Sequence, residues 1–171
     1  MPDTPKTLNR VSLEALYKEL EKPLFNVAFR YLWNREAARD LVHEAFLRLW
    51  KMRSRVEMIT VKPLIYKICI NLAASRMKRK KILTFLSLDT INREPTGKDN
   101  DDFERKEEIQ LLKKVINGLP SKLKETVLLT EFSDMTYGEI GKSLGIPAGT
   151  VGSRRNKAIR LMREKFSEIY G

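Results

Sequence analysis

Gly152, Ser153, Asn156, Lys157 and Arg160 recur at helical spacing as one polar stripe, while Val151, Ala158, Ile159 and Met162 recur as an apolar one. Hydroxyl, amide and cationic groups gathered on one side of a helix can meet base edges and phosphates in a major groove. The elements that would position this stripe lie in TYGEIGKSLGIPAGTVGSRRNKAIRLMREK, residues 136–165. Thr136 and Glu139 stand three apart, the spacing of a reciprocal capping box that opens a helix. Gly145 suits the left-handed residue that closes it, and Pro147, lacking an N–H, suits the first turn of a second helix. A structural hairpin with a solvated basic face shares this spacing. Cap, turn and stripe in this order favour a helix-turn-helix on duplex DNA.

The remaining reactive side chains do not form a catalytic set. The sequence has no phosphate-cradling glycine loop, no metal-ligand cluster and no nucleophile with a local base, so no enzyme, cofactor or metal is expected. His43 is the only histidine, and a lone histidine on a helix surface is more often a hydrogen-bonder than a ligand or base. Cys69 is the only cysteine, which rules out an intramolecular disulfide and reads as a small core residue. The chain carries 33 Lys and Arg against 22 Asp and Glu, a net charge of +11 that favours a polyanionic partner. Residues 1–82 hold 18 basic and 8 acidic side chains, residues 83–105 hold 3 and 6, and residues 106–171 hold 12 and 8. No run of about 18 apolar residues and no secretory signal is present, so a cytoplasmic protein without membrane insertion is expected.

Apolar spacing indicates helices almost throughout. Leu13, Leu16, Tyr17 and Leu20 mark one; Leu24, Val27, Ala28 and Tyr31 continue the pattern after Pro23, which is expected to open a new helix or kink the first. Over residues 36–51, Ala38, Leu41, Val42, Ala45 and Leu49 share one side, leaving Asp40, His43, Glu44 and Leu47 together on another that could face a partner. The period lapses over residues 51–62 and returns with Leu64, Ile65, Ile68, Cys69, Leu72 and Ala73. That helix is expected to end in the exposed run Arg76, Lys78, Arg79, Lys80 and Lys81, where positive charge suits a helix C-terminus or a phosphate. The text LSLDTINREPTGKDNDD reads as a flexible acidic linker, and two further helices follow around Ile109 to Ile116 and Leu123 to Phe132. The expected fold is all-α, with small helical domains at 10–82 and 106–168 joined by a linker at 83–105.

With both halves read, the chain resembles the extracytoplasmic-function (ECF) group of bacterial RNA polymerase sigma factors. ARDLVHEAFLRLW and LIYKICINLAASRMKRKK are similar to the family's region 2, and Leu119, Pro120 and TYGEIGKSLGIPAGTVGSR to its region 4 helix-turn-helix. The resemblance implies three binding surfaces. Asp40, His43, Glu44 and Leu47 match the surface set against the clamp helices of core RNA polymerase, with His43 where the family usually has Gln. The loop at 52–60 matches the pocket that receives a flipped base of the minus-ten element, with Ser54, Arg55 and Glu57 as polar readers; it holds no aromatic residue, so stacking falls to its neighbours or to Arg53 and Arg55. Lys67, Asn71, Ser75, Lys78 and Arg79 match residues that hold the backbone near melted DNA, while Trp50 and Tyr66 read as structural supports.

The third surface is the minus-thirty-five reader: Thr150, Gly152, Ser153, Arg154, Asn156, Lys157 and Arg160. Gly152 replaces the usual Lys or Arg, removing a possible guanine contact and costing about 1 kcal/mol of helix propensity. Arg155 stands where an aliphatic side chain is usual, its stem able to cover the core while its guanidinium emerges. Implied partners are core RNA polymerase, through clamp helices and flap, promoter DNA and an anti-sigma factor. The alternative is a conventional helix-turn-helix regulator that does not bind polymerase; the receiver pattern of alternating strands and helices that such regulators carry is missing from the N-terminal half.

Overall fold

The computed structural model describes residues 7–87 and 103–171. Helix α1 (Arg10–Leu32) opens on a capping box, in which the Asn9 side chain accepts from the Ser12 N–H and the Ser12 hydroxyl accepts from the Asn9 N–H. Pro23 opens no second helix: α1 runs through it. Leu16, Leu20, Leu24, Val27, Ala28 and Tyr31 form a buried stripe spanning the proline, and burying side chains of this size, at about 1.5–3 kcal/mol each, outweighs the roughly 3 kcal/mol of an interior proline. Trp33 closes α1 in the left-handed region at φ 55°, and Asn34 caps α2 (Arg35–Lys51) by accepting from the Ala37 N–H.

Two short 3-10 turns, Arg53–Arg55 and Met58–Thr60, lead into α3 (Val61–Leu86). Pro63 falls in the first turn of α3, where a missing N–H costs no helical bond. The expected helix end near Lys81 is passed: α3 continues through exposed Ile82, Leu83, Phe85 and Leu86. The cationic run therefore lies inside the helix, and the terminal dipole does not account for it. Met58–Leu86 is long and apolar enough by composition to cross a membrane, but its Ile65, Tyr66, Cys69, Ile70, Leu72 and Ala73 fill the protein core.

Helices α4 (Phe103–Asn117), α5 (Ser121–Phe132), α6 (Tyr137–Leu144) and α7 (Ala148–Tyr170) make the second bundle. The expected linker is shortened at both ends, because residues 83–86 and 103–105 are helical; Ser87 caps α3, and 88–102 lie outside the described residues. Helices α1, α2 and α3 pack on one another, as do α5, α6 and α7. The two bundles also meet directly, α3 against α6 and α1 against α5, so that Ile116, Leu128, Leu129, Met135, Ile140 and Val151 join the apolar core of the N-terminal bundle. A smaller cluster of Leu119, Leu123, Val127 and Ala158 lies under α7.

Candidate nucleic-acid interface

The helix-turn-helix is built by local rules. The Glu139 N–H donates to Thr136 Oγ1 at 3.2 Å and the Thr136 N–H to Glu139 Oε2 at 2.8 Å, closing the expected capping box. Gly145 ends α6 at φ +68°, a conformation favoured by the lack of a Cβ. A second glycine, which sequence reading missed, matters as much: a Cβ on Gly141 would stand 2.5 Å from the Ile146 carbonyl oxygen. The turn folds back over Gly141, whose own carbonyl accepts from the Ile146 N–H at 2.9 Å. Its signal was an interior glycine in an otherwise regular helix.

Helix α7 anchors its first half through fully buried Val151 and Ala158. Ser153, Asn156, Lys157 and Arg160 are exposed along it, with Thr150, Gly152 and Arg154 half-buried beside them. The Ser153 hydroxyl donates to the Thr150 carbonyl at 3.1 Å and must turn away from it to read a base. Arg154 lies near Glu125, whose carboxyl is raised by burial and partly restored by that guanidinium. Arg155 Nε donates to Glu131 Oε1 at 2.6 Å, so the side chain in the usual aliphatic place ties α7 to α5.

On the N-terminal bundle, Ser54, Arg55, Glu57, Lys67, Asn71, Ser75, Lys78 and Arg79 are all exposed. Lys67, Asn71, Ser75 and Lys78 follow the three- and four-residue steps of one helical face. The loop before them is braced: Val56 and Val61 are buried, and Glu57 makes an antiparallel bridge to Thr7. Arg53 is less free to stack on a base than expected, since its guanidinium lies 4.3 Å from the centre of the Trp50 ring and donates to the Trp50 carbonyl at 2.9 Å. Tyr66 is a support as expected, fully buried with its hydroxyl 3.5 Å from Asp134 Oδ1.

Asp40, His43 and Leu47 stand exposed on α2, Leu47 to 61%. His43 Nε2 lies 3.2 Å from the Tyr17 hydroxyl, beside a groove of about 420 Å³ lined by Phe25, Asn26, Arg35 and Arg39. Glu44 differs from its neighbours. Its carboxylate accepts from Arg76 Nη2 at 2.7 Å and Arg48 Nη2 at 2.9 Å, while Arg76 Nη1 reaches the Ala37 carbonyl at 2.9 Å. Those bonds, led by Arg76, hold the Glu44 carboxyl below its ordinary range. Arg76, expected among the exposed cations, is instead a clasp between α2 and α3.

The seam between bundles carries polar groups without a local sequence signature. The Ser143 hydroxyl donates to the Pro63 carbonyl at 2.7 Å, and Lys62 Nζ lies 3.3 Å from Asp134 Oδ2. Lys124, 5% exposed, donates to the Tyr31 carbonyl at 3.3 Å and Asn117 Oδ1 at 3.2 Å with its ammonium 4.1 Å above the Tyr31 ring. Burial first, then repulsion from Lys81, lowers this ammonium to about 8 from 10.5. Below 8 it is charged folded or unfolded and its desolvation cost is complete. Between 8 and 10.5 the unfolded chain binds more protons, so this group makes stability rise with pH. Tyr31 and Cys69, each raised to about 12 chiefly by burial, act in the opposite sense, so the comparison needs Lys124→Met as its reference. From pH 8 to 10 the native chain is expected to gain about 2 kcal/mol of stability relative to Lys124→Met, measured by urea unfolding; parallel pH curves would contradict the buried ammonium.

These surfaces coincide with known modules. Residues 16–82 match Sigma-70 region 2 and residues 109–162 match Sigma-70, region 4. The RNA polymerase sigma factor SigV of Bacillus subtilis (strain 168) is 26% identical over 167 residues, covering 95% of this chain and 96% of that protein. Two solved structures share the fold. The sigma factor RpoE from Bartonella quintana, in complex with the anti-sigma factor NepR, has a TM-score of 0.64 at 22% identity over 90% of this chain and 98% of that one. CnrH, in complex with the cytosolic domain of CnrY, has a TM-score of 0.68 at 15% identity over 94% of this chain and 90% of that one. Region 2 accounts for the half in which a conventional regulator would carry a different module, and the alternative is not favoured. The chain belongs to the ECF sigma factors, the subunits that direct bacterial core RNA polymerase to promoters.

Proposed function

We propose that the two bundles divide promoter recognition, residues 10–82 taking core polymerase and the minus-ten element and residues 106–168 taking the minus-thirty-five element. The observation that carries this reading is that the eight minus-ten side chains and the stripe of Ser153, Asn156, Lys157 and Arg160 are exposed on separate bundles, each backed by a packed core. Asp40, His43 and Leu47 bind the clamp helices, with Glu44 and Arg76 setting the angle between α2 and α3. Ser54, Arg55 and Glu57 read the extruded minus-ten base. Lys67, Asn71, Ser75, Lys78 and Arg79 hold the opened strand, offsetting the few kcal/mol of lost stacking. The polymerase supplies catalysis; this chain supplies position and strand separation, and acts in the cytoplasm.

Thr150, Ser153, Asn156 and Lys157 meet base edges while Arg154 and Arg160 approach phosphates, as helix-turn-helix docking arranges them. An anti-sigma factor is a further partner, supported by the sigma factors of like fold that were solved with NepR and CnrY. For the upstream reader, Ser153→Ala with Lys157→Ala is expected to reduce transcription on the order of tenfold from an intact promoter and little from one whose upstream element is scrambled. The check is run-off transcription by reconstituted holoenzyme; equal losses on both templates would remove the base-reading role.

A further inference from the structure

His43, the only histidine of the chain, is held by α1 and not left free on α2. Its Nε2 lies 3.2 Å from the Tyr17 hydroxyl, the one hydrogen-bond partner of the ring among the described residues, and the two rings stack at 6.3 Å and 23°. Tyr17 is fixed in turn, half-buried with its ring 4.9 Å from that of buried Phe46. One imidazole nitrogen is therefore occupied, and only Nδ1 is left for a partner. In a neutral imidazole one nitrogen donates and the other accepts, so the bond at Nε2 decides the role of Nδ1. The phenol has a single proton to place. Two acceptors compete for it: His43 Nε2, and Glu21, which follows Tyr17 by one helical turn and lines the same groove. Burial first, then the charge of Glu21 and its bond to the hydroxyl, raise Tyr17 above its ordinary range. A carboxylate is a stronger acceptor than a neutral imidazole, so the phenol proton goes to Glu21 and the phenol oxygen accepts from Nε2–H.

Resting on the reading of α2 as the face that meets core polymerase, we infer that Tyr17 and Glu21 are positioning residues for that contact. The relay Glu21–Tyr17–His43 fixes the Nε2–H tautomer of His43 and leaves Nδ1 as a bare acceptor for an N–H or O–H donor of the clamp helices. Without Glu21 the order reverses. A phenol is the stronger acid and an imidazole nitrogen the stronger base, so the hydroxyl would donate to Nε2, and Nδ1 would carry the proton and turn away the same donor. The partner group selected at this atom is thus a donor, while a carbonyl or carboxylate set against Nδ1 is refused.

A sole histidine makes the tautomer directly measurable. Long-range proton–nitrogen correlation spectra of the purified chain carrying nitrogen-labelled histidine, at mildly alkaline pH where a histidine is neutral, are expected to show the Nε2–H form in the native chain and the Nδ1–H form in Glu21→Ala. Core polymerase affinity is measured in parallel for His43→Ala, and for Tyr17→Phe and Glu21→Ala, each alone and combined with His43→Gln, with thermal unfolding of every variant. Tyr17→Phe keeps the ring and Glu21 is exposed, so both variants fit the fold. Alone, each is expected to weaken core binding about two- to tenfold. Beside His43→Gln, whose amide carries an acceptor that no tautomer removes, neither is expected to change affinity. An unchanged tautomer in Glu21→Ala overturns the relay. Equal losses with and without His43→Gln overturn positioning through His43. His43→Ala binding core as tightly as the native chain is a different failure, that of the polymerase-facing reading of α2, and the spectra still decide the tautomer.

Discussion

Gly141→Ala is expected to lower the melting temperature by roughly 3–10 °C and to abolish use of the upstream element, although alanine is the better helix former by about 1 kcal/mol. The added Cβ would sit 2.5 Å from the Ile146 carbonyl oxygen, and backbone cannot yield there as the tip of a flexible side chain could. Relieving the contact pushes Ile146 and Pro147 away from α6 and re-aims the start of α7, at a cost of about 1–3 kcal/mol beyond the propensity gain. Gly152→Ala is the matched control. It also exchanges glycine for alanine in a helix, but its Cβ meets only the Tyr137 ring at 3.5 Å, so it is expected to raise stability by about 0.5–1 kcal/mol. Differential scanning calorimetry on both variants checks the sign; two changes in the same direction would show that the turn does not press on Gly141.

Asp40→Ala and Glu44→Ala are expected to separate binding from folding on one helix. Asp40 is exposed and its side chain makes no hydrogen bond or ion pair among the described residues, so its loss should weaken core polymerase binding on the order of tenfold with the melting temperature unchanged. Glu44 holds Arg76 at 2.7 Å and Arg48 at 2.9 Å, and its removal leaves the Arg76 clasp with the Ala37 carbonyl alone. A charge-assisted bond of this kind is worth up to about 3 kcal/mol, but Glu44 is 38% exposed and screened, so about 1 kcal/mol is expected. Because the Glu44 carboxyl is held below 4.5, this contribution is complete above that pH and is lost as pH falls through the lowered value. The stability gap between native and Glu44→Ala protein should therefore close in acid. Equal effects of both variants on core affinity, with no gap in stability, would return Glu44 to the polymerase-facing set.

What the sequence made legible was local. Thr136, Glu139, Gly145 and Pro147 act within a few residues of themselves, and each stands where capping and turn chemistry require. The stripe of α2 was equally plain, because Ala38, Leu41, Val42, Ala45 and Leu49 repeat with the helix and are all buried. Contacts across long separations were not legible. Arg76 meets Glu44 from 32 residues away and Ser143 meets Pro63 from 80, and neither side chain differs in type from a solvated one. Lys124 was hidden for the same reason: only tertiary packing sets a lysine against Tyr31, 93 residues earlier in the chain. Pro23 opens no new helix because the buried stripe overrides its local penalty, and α3 passes its expected end because exposed Ile82, Leu83, Phe85 and Leu86 continue the helix without a core to face. The two departures from family pattern resolve differently: Arg155 becomes a tie to Glu131, and Gly152 a seat for the Tyr137 ring.

The most direct measurement mixes the purified chain with core RNA polymerase on a promoter template and follows co-elution, strand opening by permanganate reactivity and run-off transcripts together. The expected result is a stable complex with core, reactive thymines confined to the minus-ten region, and transcripts that disappear when either promoter element is scrambled. Binding of the chain to promoter duplex without association with core, and without strand opening, would contradict the division of promoter recognition between two bundles of a polymerase subunit.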